Sequence, residues 1–97
     1  MSTQIWAWDV DEHALDELWA HGLVEDDIHA MLDDGRLKIE KNKGDRAGSH
    51  KVIGPDAGGR LITVIAKEKS TRQHLWRPIT GWPSTPGEKT KWKEMYT

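Results

Sequence analysis

The fold is decided by residues 60–67, RLITVIAK, which form the strongest strand pattern in a chain of 97 residues. Aliphatic and β-branched side chains dominate this stretch, and residues 56–59, DAGG, have the composition of a turn. The pattern predicts a strand that begins directly after a tight turn. Its apolar run is broken by Thr63 and is far too short to cross a membrane. We therefore expect a soluble, cytoplasmic protein.

Shorter alternating segments flank this strand on both sides. Residues 36–40 alternate between polar and apolar side chains, and residues 50–53 and 72–80 are also predicted to form strands. Because Pro78 has no backbone N–H to donate, we expect an edge position or a bulge at that point.

The N-terminal third predicts a short strand over 4–8 and then two helices. Asp9 and Glu12 form a capping-box pattern for the first helix, and a second helix is predicted over 24–32 with Gly35 at its end. The apolar face predicted for the first helix consists of Ala14, Leu15, Leu18 and Trp19.

A second capping box, residues 85–88 with Pro86 at the first helical position, predicts a short C-terminal helix. The predicted order is therefore β-α-α-β-β-β-β-α. This order indicates an α+β domain over 1–97, with a small, mostly antiparallel sheet and the two N-terminal helices packed on one face. The absence of Cys excludes disulfides and Cys-based zinc sites.

Charge is sorted by position along the chain. Residues 1–34 carry ten Asp and Glu but no Lys or Arg, whereas residues 35–97 carry all fourteen Lys and Arg against six acids. The two parts therefore have formal charges of −10 and +8, although the net charge is −2. A polyanion is attracted to the second part and repelled by the first. We expect a phosphate-bearing partner on the basic part.

Several short motifs follow one another along the chain: Trp8-Asp9, His21-Gly22, Arg46, the segment 50–54 (HKVIG) and the segment 77–80 (RPIT). In their order and spacing they resemble the BrnT branch of the RelE/ParE toxin superfamily. The resemblance implies a small α+β toxin of a type II toxin–antitoxin pair, which binds a cognate antitoxin protein. It further implies a metal-independent endoribonuclease that cleaves RNA through attack by the 2′-OH, with no cofactor; ribosome dependence and oligomeric state stay open.

Metal-independent RNA cleavage needs a base, a cation that stabilises the charged phosphorane and an acid. Arg46 and Arg77 are the candidates for holding phosphate, because a guanidinium binds it through two hydrogen bonds. His50 or Lys51 is the candidate for proton transfer, and a regular strand turns these two side chains to opposite faces. The resemblance adds Thr80 and His21 to the catalytic set. The candidates for nucleic-acid binding are Arg72, His74 and Trp82.

Each of these residues also has a structural interpretation. Exposed Arg and Lys on a sheet are usually solvated, and Thr80 is an ordinary β-branched strand residue. His21 has the position of a helix C-terminal residue, and Trp76 is a core residue by its pattern, whereas Trp82 suits base stacking and core packing equally. The eight-residue spacing of His13, His21 and His29 predicts no metal site.

Two other functions compete with the ribonuclease hypothesis. Trp82 stands where the family commonly has a second Arg, and the sequence pI is about 6.2. Both features favour a non-catalytic binding module on the same fold, either gyrase-inhibitor-like or a degenerate toxin. A small nucleic-acid-binding regulator is the third hypothesis.

Overall fold

Two long strands, β4 (Leu61–Glu68) and β5 (Leu75–Pro83), form the centre of the sheet. The structure is a computed structural model of the chain, and it describes residues 4–43, 49–69 and 73–97. The other elements are β1 (Ala7–Trp8), α1 (Glu12–Ala20), α2 (Glu25–Asp34), β2 (Lys38–Lys41), β3 (His50–Pro55) and α3 (Pro86–Tyr96). The α+β class and the predicted order of elements are confirmed.

The sheet is mixed, with the strand order β1-β5-β4-β3-β2 among the described residues. The pairs β2–β3, β3–β4 and β4–β5 are antiparallel. The two residues of β1 run parallel to β5. Lys41 pairs with His50, and Glu68 pairs with Trp76. One end of the sheet therefore holds the end of β2, the start of β3, the end of β4 and the start of β5.

The sheet has a helix-packed core on each face. On the α1–α2 face, Leu18, Ile28 and Met31 of the helices pack with Val52 and Val64 of the sheet. On the opposite α3 face, Trp92 packs with Ile53 and Leu61. Successive side chains of β3 and β4 therefore enter the two cores in turn. For this reason residues 61–66 are apolar or β-branched without a break and are all buried.

The start of α1 differs from the prediction. Asp11, not Asp9, is the N-cap, and its carboxylate accepts a hydrogen bond from the Ala14 amide at 2.8 Å. The Asp9 carboxylate lies instead 2.5 Å from the Lys69 ammonium. Asp9, which the local pattern assigned to the cap, therefore forms a long-range ion pair instead.

The apolar face of α1 is narrower than predicted. Ala14 and Leu18 are buried, but Leu15 is 38% exposed and Trp19 is 74% exposed. A helix of nine residues on the side of a small sheet turns only a narrow stripe toward the core. The assignment of Leu15 and Trp19 to the core is wrong.

Three other local predictions are confirmed. Gly35 ends α2 in the left-handed conformation with φ 82°. Thr85 caps α3 in a capping box with Glu88. The register between β4 and β5 shifts at Ile65/Ala66, so that the strand bulges directly after Pro78. No helix in the described part of the chain has the length and apolar character needed to span a bilayer.

Gly81 is required where β5 passes under α1. A Cβ added there would lie 2.9 Å from the Thr63 carbonyl oxygen and 3.0 Å from Leu18 Cδ2. We expect Gly81→Ala to lower the free energy of unfolding by roughly 1–3 kcal/mol, because overpacking of a backbone contact displaces the strand. Urea unfolding measures the change. The control is Gly87→Ala in α3, where the added Cβ meets nothing within 4 Å. Equal stability of the two variants would contradict the proposed contact.

Candidate functional site

Cationic side chains collect at the end of the sheet where β2 and β4 finish. This basic end carries Lys41, Lys43, Lys51, Lys67, Lys69 and Arg77. Four acids, Asp9, Asp11, Glu40 and Glu68, offset part of the charge. Arg46 and Arg72, which the sequence analysis placed in the site, lie outside the described residues. The other predicted site residues are all described.

Arg77 is held by charge and makes no hydrogen bond with its side chain to any described residue. Its guanidinium lies 3.9 Å from a carboxylate oxygen of Asp9 and 3.9 Å from one of Asp11. Both separations exceed the length of a hydrogen bond, and the buried Nε has no partner among the described residues. A guanidinium with free donors is able to bind an added anion. Together with Lys67, Glu68 and Lys69 it lines a depression of about 200 Å³.

Thr80 shares this property with Arg77. Its Oγ1 is also buried and has no hydrogen-bond partner within the described ranges. Arg77 pairs with Lys67 and Thr80 pairs with Ile65, so the bulge leaves both side chains on the α3 face. Buried polar atoms normally have partners, and an exception calls for an explanation. Here both exceptions belong to one four-residue segment, 77–80.

Lys51 and His50 face opposite sides, as the sequence predicts. Lys51 pairs with Ile65, the same residue that pairs with Thr80, so these three form a row across the α3 face. His50 is on the α1–α2 face, where its ring lies edge-on to Trp76 with the centroids 5.0 Å apart. Of the two proton-transfer candidates, only Lys51 shares a face with Arg77 and Thr80.

A buried carboxylate organises the α3 face next to this row. Oε1 of Glu88 accepts hydrogen bonds from the Thr85 amide at 2.8 Å, the Trp82 indole at 3.0 Å and the Thr63 hydroxyl at 3.0 Å. Oε2 lies 3.1 Å from the Lys51 ammonium. The first turn of α3 is thereby connected to β3, β4 and β5 through one side chain.

These contacts keep Glu88 ionised inside the protein. Burial by itself raises the pKa of Glu88, but the hydrogen bonds from the Thr85 amide, Trp82, Lys51 and Thr63 outweigh it. The pKa therefore lies below the ordinary value of a glutamate. Sequence analysis missed this role, because the capping-box pattern shows only the bond to Thr85 and not the three strands.

The remaining predicted residues occupy other positions. His21 is the C-cap of α1, its backbone N–H donates to the Leu18 carbonyl, and its ring lies 6.4 Å from that of Trp82. His74 lies at the start of β5 with φ 64°, and its ring lies 4.2 Å from that of Trp6. Neither histidine is within the row of Lys51 and Thr80. Trp76 is a core residue, as predicted.

Two further features were not predicted from the sequence. Trp6 is 70% exposed, although the sequence assigns it to a strand with apolar character. Asp9 pairs with two cations of the basic end, Lys69 and Arg77. The Lys69 hydrogen bond, assisted by the charge of Arg77, holds the pKa of Asp9 below its usual range. Nothing local in the sequence signals a contact between residues sixty positions apart.

Comparison with known proteins adds no assignment to this geometry. No model of a known family matches the chain, and no curated protein matches it.

The pH dependence of stability tests the role of Glu88. The pKa of Glu88 is lowered on folding, so its ionised carboxylate contributes to the free energy of unfolding. This contribution is complete above about pH 4.3, where an unfolded glutamate titrates, and is lost as the pH falls through the pKa of the folded state. We expect Glu88→Gln to cost roughly 2–3 kcal/mol at neutral pH, since Lys51 loses its partner. The loss shrinks as acid protonates the native carboxylate.

Urea unfolding at several pH values between 3 and 7 measures this difference. Glu94→Gln is the control, because Glu94 is exposed on the same helix and makes no ion pair with a described residue. A cost for Glu88→Gln that stays constant from neutral pH to pH 3 would show that the carboxylate is not ionised in the folded protein.

Proposed function

We propose that this protein is the toxin of a type II toxin–antitoxin pair, with a RelE/ParE-like fold, and that it cleaves single-stranded RNA without a metal ion. The resemblance of the motifs to BrnT-like toxins supports the proposal, as does the small α+β fold, which the resemblance implies. The observation that carries it is the pair of unpartnered polar atoms on Arg77 and Thr80. Both atoms are buried, and a phosphate oxygen is an acceptor of the kind that they lack among the described residues.

The expected chemistry places the scissile phosphate between these two side chains. The 2′-OH gives its proton to solvent water and its oxygen bonds to phosphorus, while the bond from phosphorus to the 5′-oxygen breaks, which leaves a 2′,3′-cyclic phosphate and a 5′-hydroxyl. Arg77 stabilises the charge that develops on the phosphorane. Lys51, in the same row as Thr80, is an ammonium group on this face that can donate a proton to the leaving 5′-oxygen.

The distribution of charge supports an RNA partner on this side of the molecule. The acids of α1 and α2 have no Lys or Arg between them in residues 4–34, and these helices pack on the other face of the sheet. A polyanion approaching the protein is therefore attracted to the basic end and repelled from the helices. RNA bound along the α3 face avoids the acidic helices.

A second candidate function is a binding module that holds RNA without cleaving it. It is favoured by the lack of a free proton acceptor among the described residues of the α3 face. Both oxygens of Glu88 are occupied by donors, and His50 is on the opposite face of the sheet. Among the described residues of the α3 face, no free base lies beside Thr80 to take the proton of the 2′-OH. Product analysis separates the two functions.

The experiment combines RNA binding and RNA cleavage with a matched pair of variants. Arg77 is 43% exposed and lies near Asp9 and Asp11, while Arg60 is 46% exposed and lies near Asp56 and Asp27 at the other end of the sheet. We expect Arg77→Ala to reduce the affinity for a labelled single-stranded RNA by about tenfold, the loss of one charge-assisted contact. Arg60→Ala, with the same change of charge, leaves it within about twofold.

Cleavage is read from the ends of the products. Toxin activity predicts a 2′,3′-cyclic phosphate and a 5′-hydroxyl, formed equally in the presence of EDTA, and slower bacterial growth on expression that Arg77→Ala relieves. Intact RNA bound with Arg77-dependent affinity would favour the binding module. Equal binding by the Arg77 and Arg60 variants would remove both candidate functions from this site.

Asp9 is expected to weaken RNA binding, because its carboxylate stands between Lys69 and Arg77. Asp9→Asn keeps the shape and removes the charge. We expect the RNA affinity to rise by about two- to fivefold at low salt, the size of one exposed charge interaction, and the gain to disappear as salt screens it. Asp16→Asn, an exposed acid of α1, is the control for net charge. An equal gain in both variants would show that only net charge matters.

A further inference from the structure

A second group of lysines lies at the far end of the row that Thr80 and Lys51 define. They surround a depression of about 260 Å³, which is formed by the end of β2, the start of β3 and one side of α3. Its lining residues are Glu40, Lys41, Asn42, Lys43, Lys51 and Lys91. Among the described residues, four ammonium groups thus face one carboxylate at the lining of the depression, that of Glu40.

The ion pairs of this depression leave donors available. Glu40 pairs with Lys91 at 3.3 Å, and Lys51 pairs with Glu88 at 3.1 Å. Each ammonium carries three N–H donors, so one carboxylate contact does not exhaust it. Lys41 and Lys43 make no ion pair with any described residue. The site therefore has an excess of positive charge and unused donors, which suits a phosphate group.

The position of the depression links it to Arg77 and Thr80. Thr80, Ile65, Lys51 and Glu40 pair in sequence across β5, β4, β3 and β2, so the row runs at right angles to the strands. Adjacent strands lie about 4.8 Å apart, which separates the two ends of the row by roughly 14 Å. Successive phosphates of an RNA strand are closer together than this, so the two ends of the row suit two phosphates of one strand that are not adjacent.

We propose that the depression lined by Lys41, Lys43, Lys51 and Lys91 is a second phosphate subsite, which binds the backbone of the same RNA strand beside the phosphate held at Arg77 and Thr80. This inference rests on the proposed action on RNA. It adds the path that the RNA takes across the sheet, which runs between β5 and β2. Lysines at the subsite act as point charges, so they bind the backbone and do not select a base sequence. An acidic peptide is the competing anion, but it has no reason to reach Arg77 and Thr80 as well.

The test compares two double variants with the same change of charge. Lys41→Gln/Lys43→Gln removes two lysines of the depression, and Lys89→Gln/Lys93→Gln removes two exposed lysines of α3. None of these four lysines makes an ion pair with a described residue. The probes are a fluorescein-labelled eight-nucleotide single-stranded RNA and a dinucleoside monophosphate, titrated at several salt concentrations. The octamer reaches both subsites, whereas the dinucleotide has one phosphate.

We expect the first double variant to bind the octamer at least tenfold more weakly, with the slope of log affinity against log salt reduced by about 1.4, or 0.7 for each lost phosphate contact. The second double variant keeps the slope of the wild type. Affinity for the dinucleotide is unchanged in both, and polyglutamate of equal charge competes poorly.

The outcomes separate this inference from the proposed function. If the wild type binds the octamer and Arg77→Ala weakens it, but the two double variants behave alike, the subsite is overturned and the proposed function stands. If the wild type binds no RNA, both fall. Competition by polyglutamate as strong as that by RNA would also overturn the subsite, because it would reveal a general anion surface. Circular dichroism of each variant verifies that it is folded.

Discussion

The structure depends on one carboxylate, that of Glu88, which is buried and ionised at the first turn of α3. It accepts hydrogen bonds from a residue within β5, from a residue just after β5 and from a hydroxyl of β4, and it pairs with an ammonium of β3. A charge is stable at such a position only when donors replace the water that it loses, and here four donors do so. The helix, the strand ends and the orientation of Lys51 are consequently fixed together.

This arrangement gives the α3 face two different kinds of polar side chain. Those around Glu88 satisfy one another and serve to hold the fold, whereas Arg77 and Thr80 have polar atoms without hydrogen-bond partners among the described residues. Satisfied and unsatisfied groups lie on one face, joined by the row through Lys51 and Ile65. A rigid support beside free donors is the arrangement that binding of an anion requires, since the donors are already in place when the ligand arrives.

Sequence reasoning reached the order of elements because strand composition, capping boxes and glycines act locally, as at Gly35 and Thr85. It failed where distant partners compete with a local signal. Asp9 has a good cap pattern, but Lys69 is the stronger partner, so Asp11 caps the helix. The candidate site follows the same rule. Lys51 and Thr80 were named from the sequence, but their alignment depends on the register and on a bulge that no local pattern specifies.

The bulge that follows Pro78 also affects how molecules of this protein meet. β1 covers only Leu75 and Trp76, so the outer edge of β5 from 77 to 83 has no neighbouring strand among the described residues. Exposed edges invite pairing with another chain, and such pairing leads to aggregation. Pro78 and Pro83 offer no N–H along this edge, and the bulge between them breaks its regular spacing. The edge is thereby a poor template for an incoming strand.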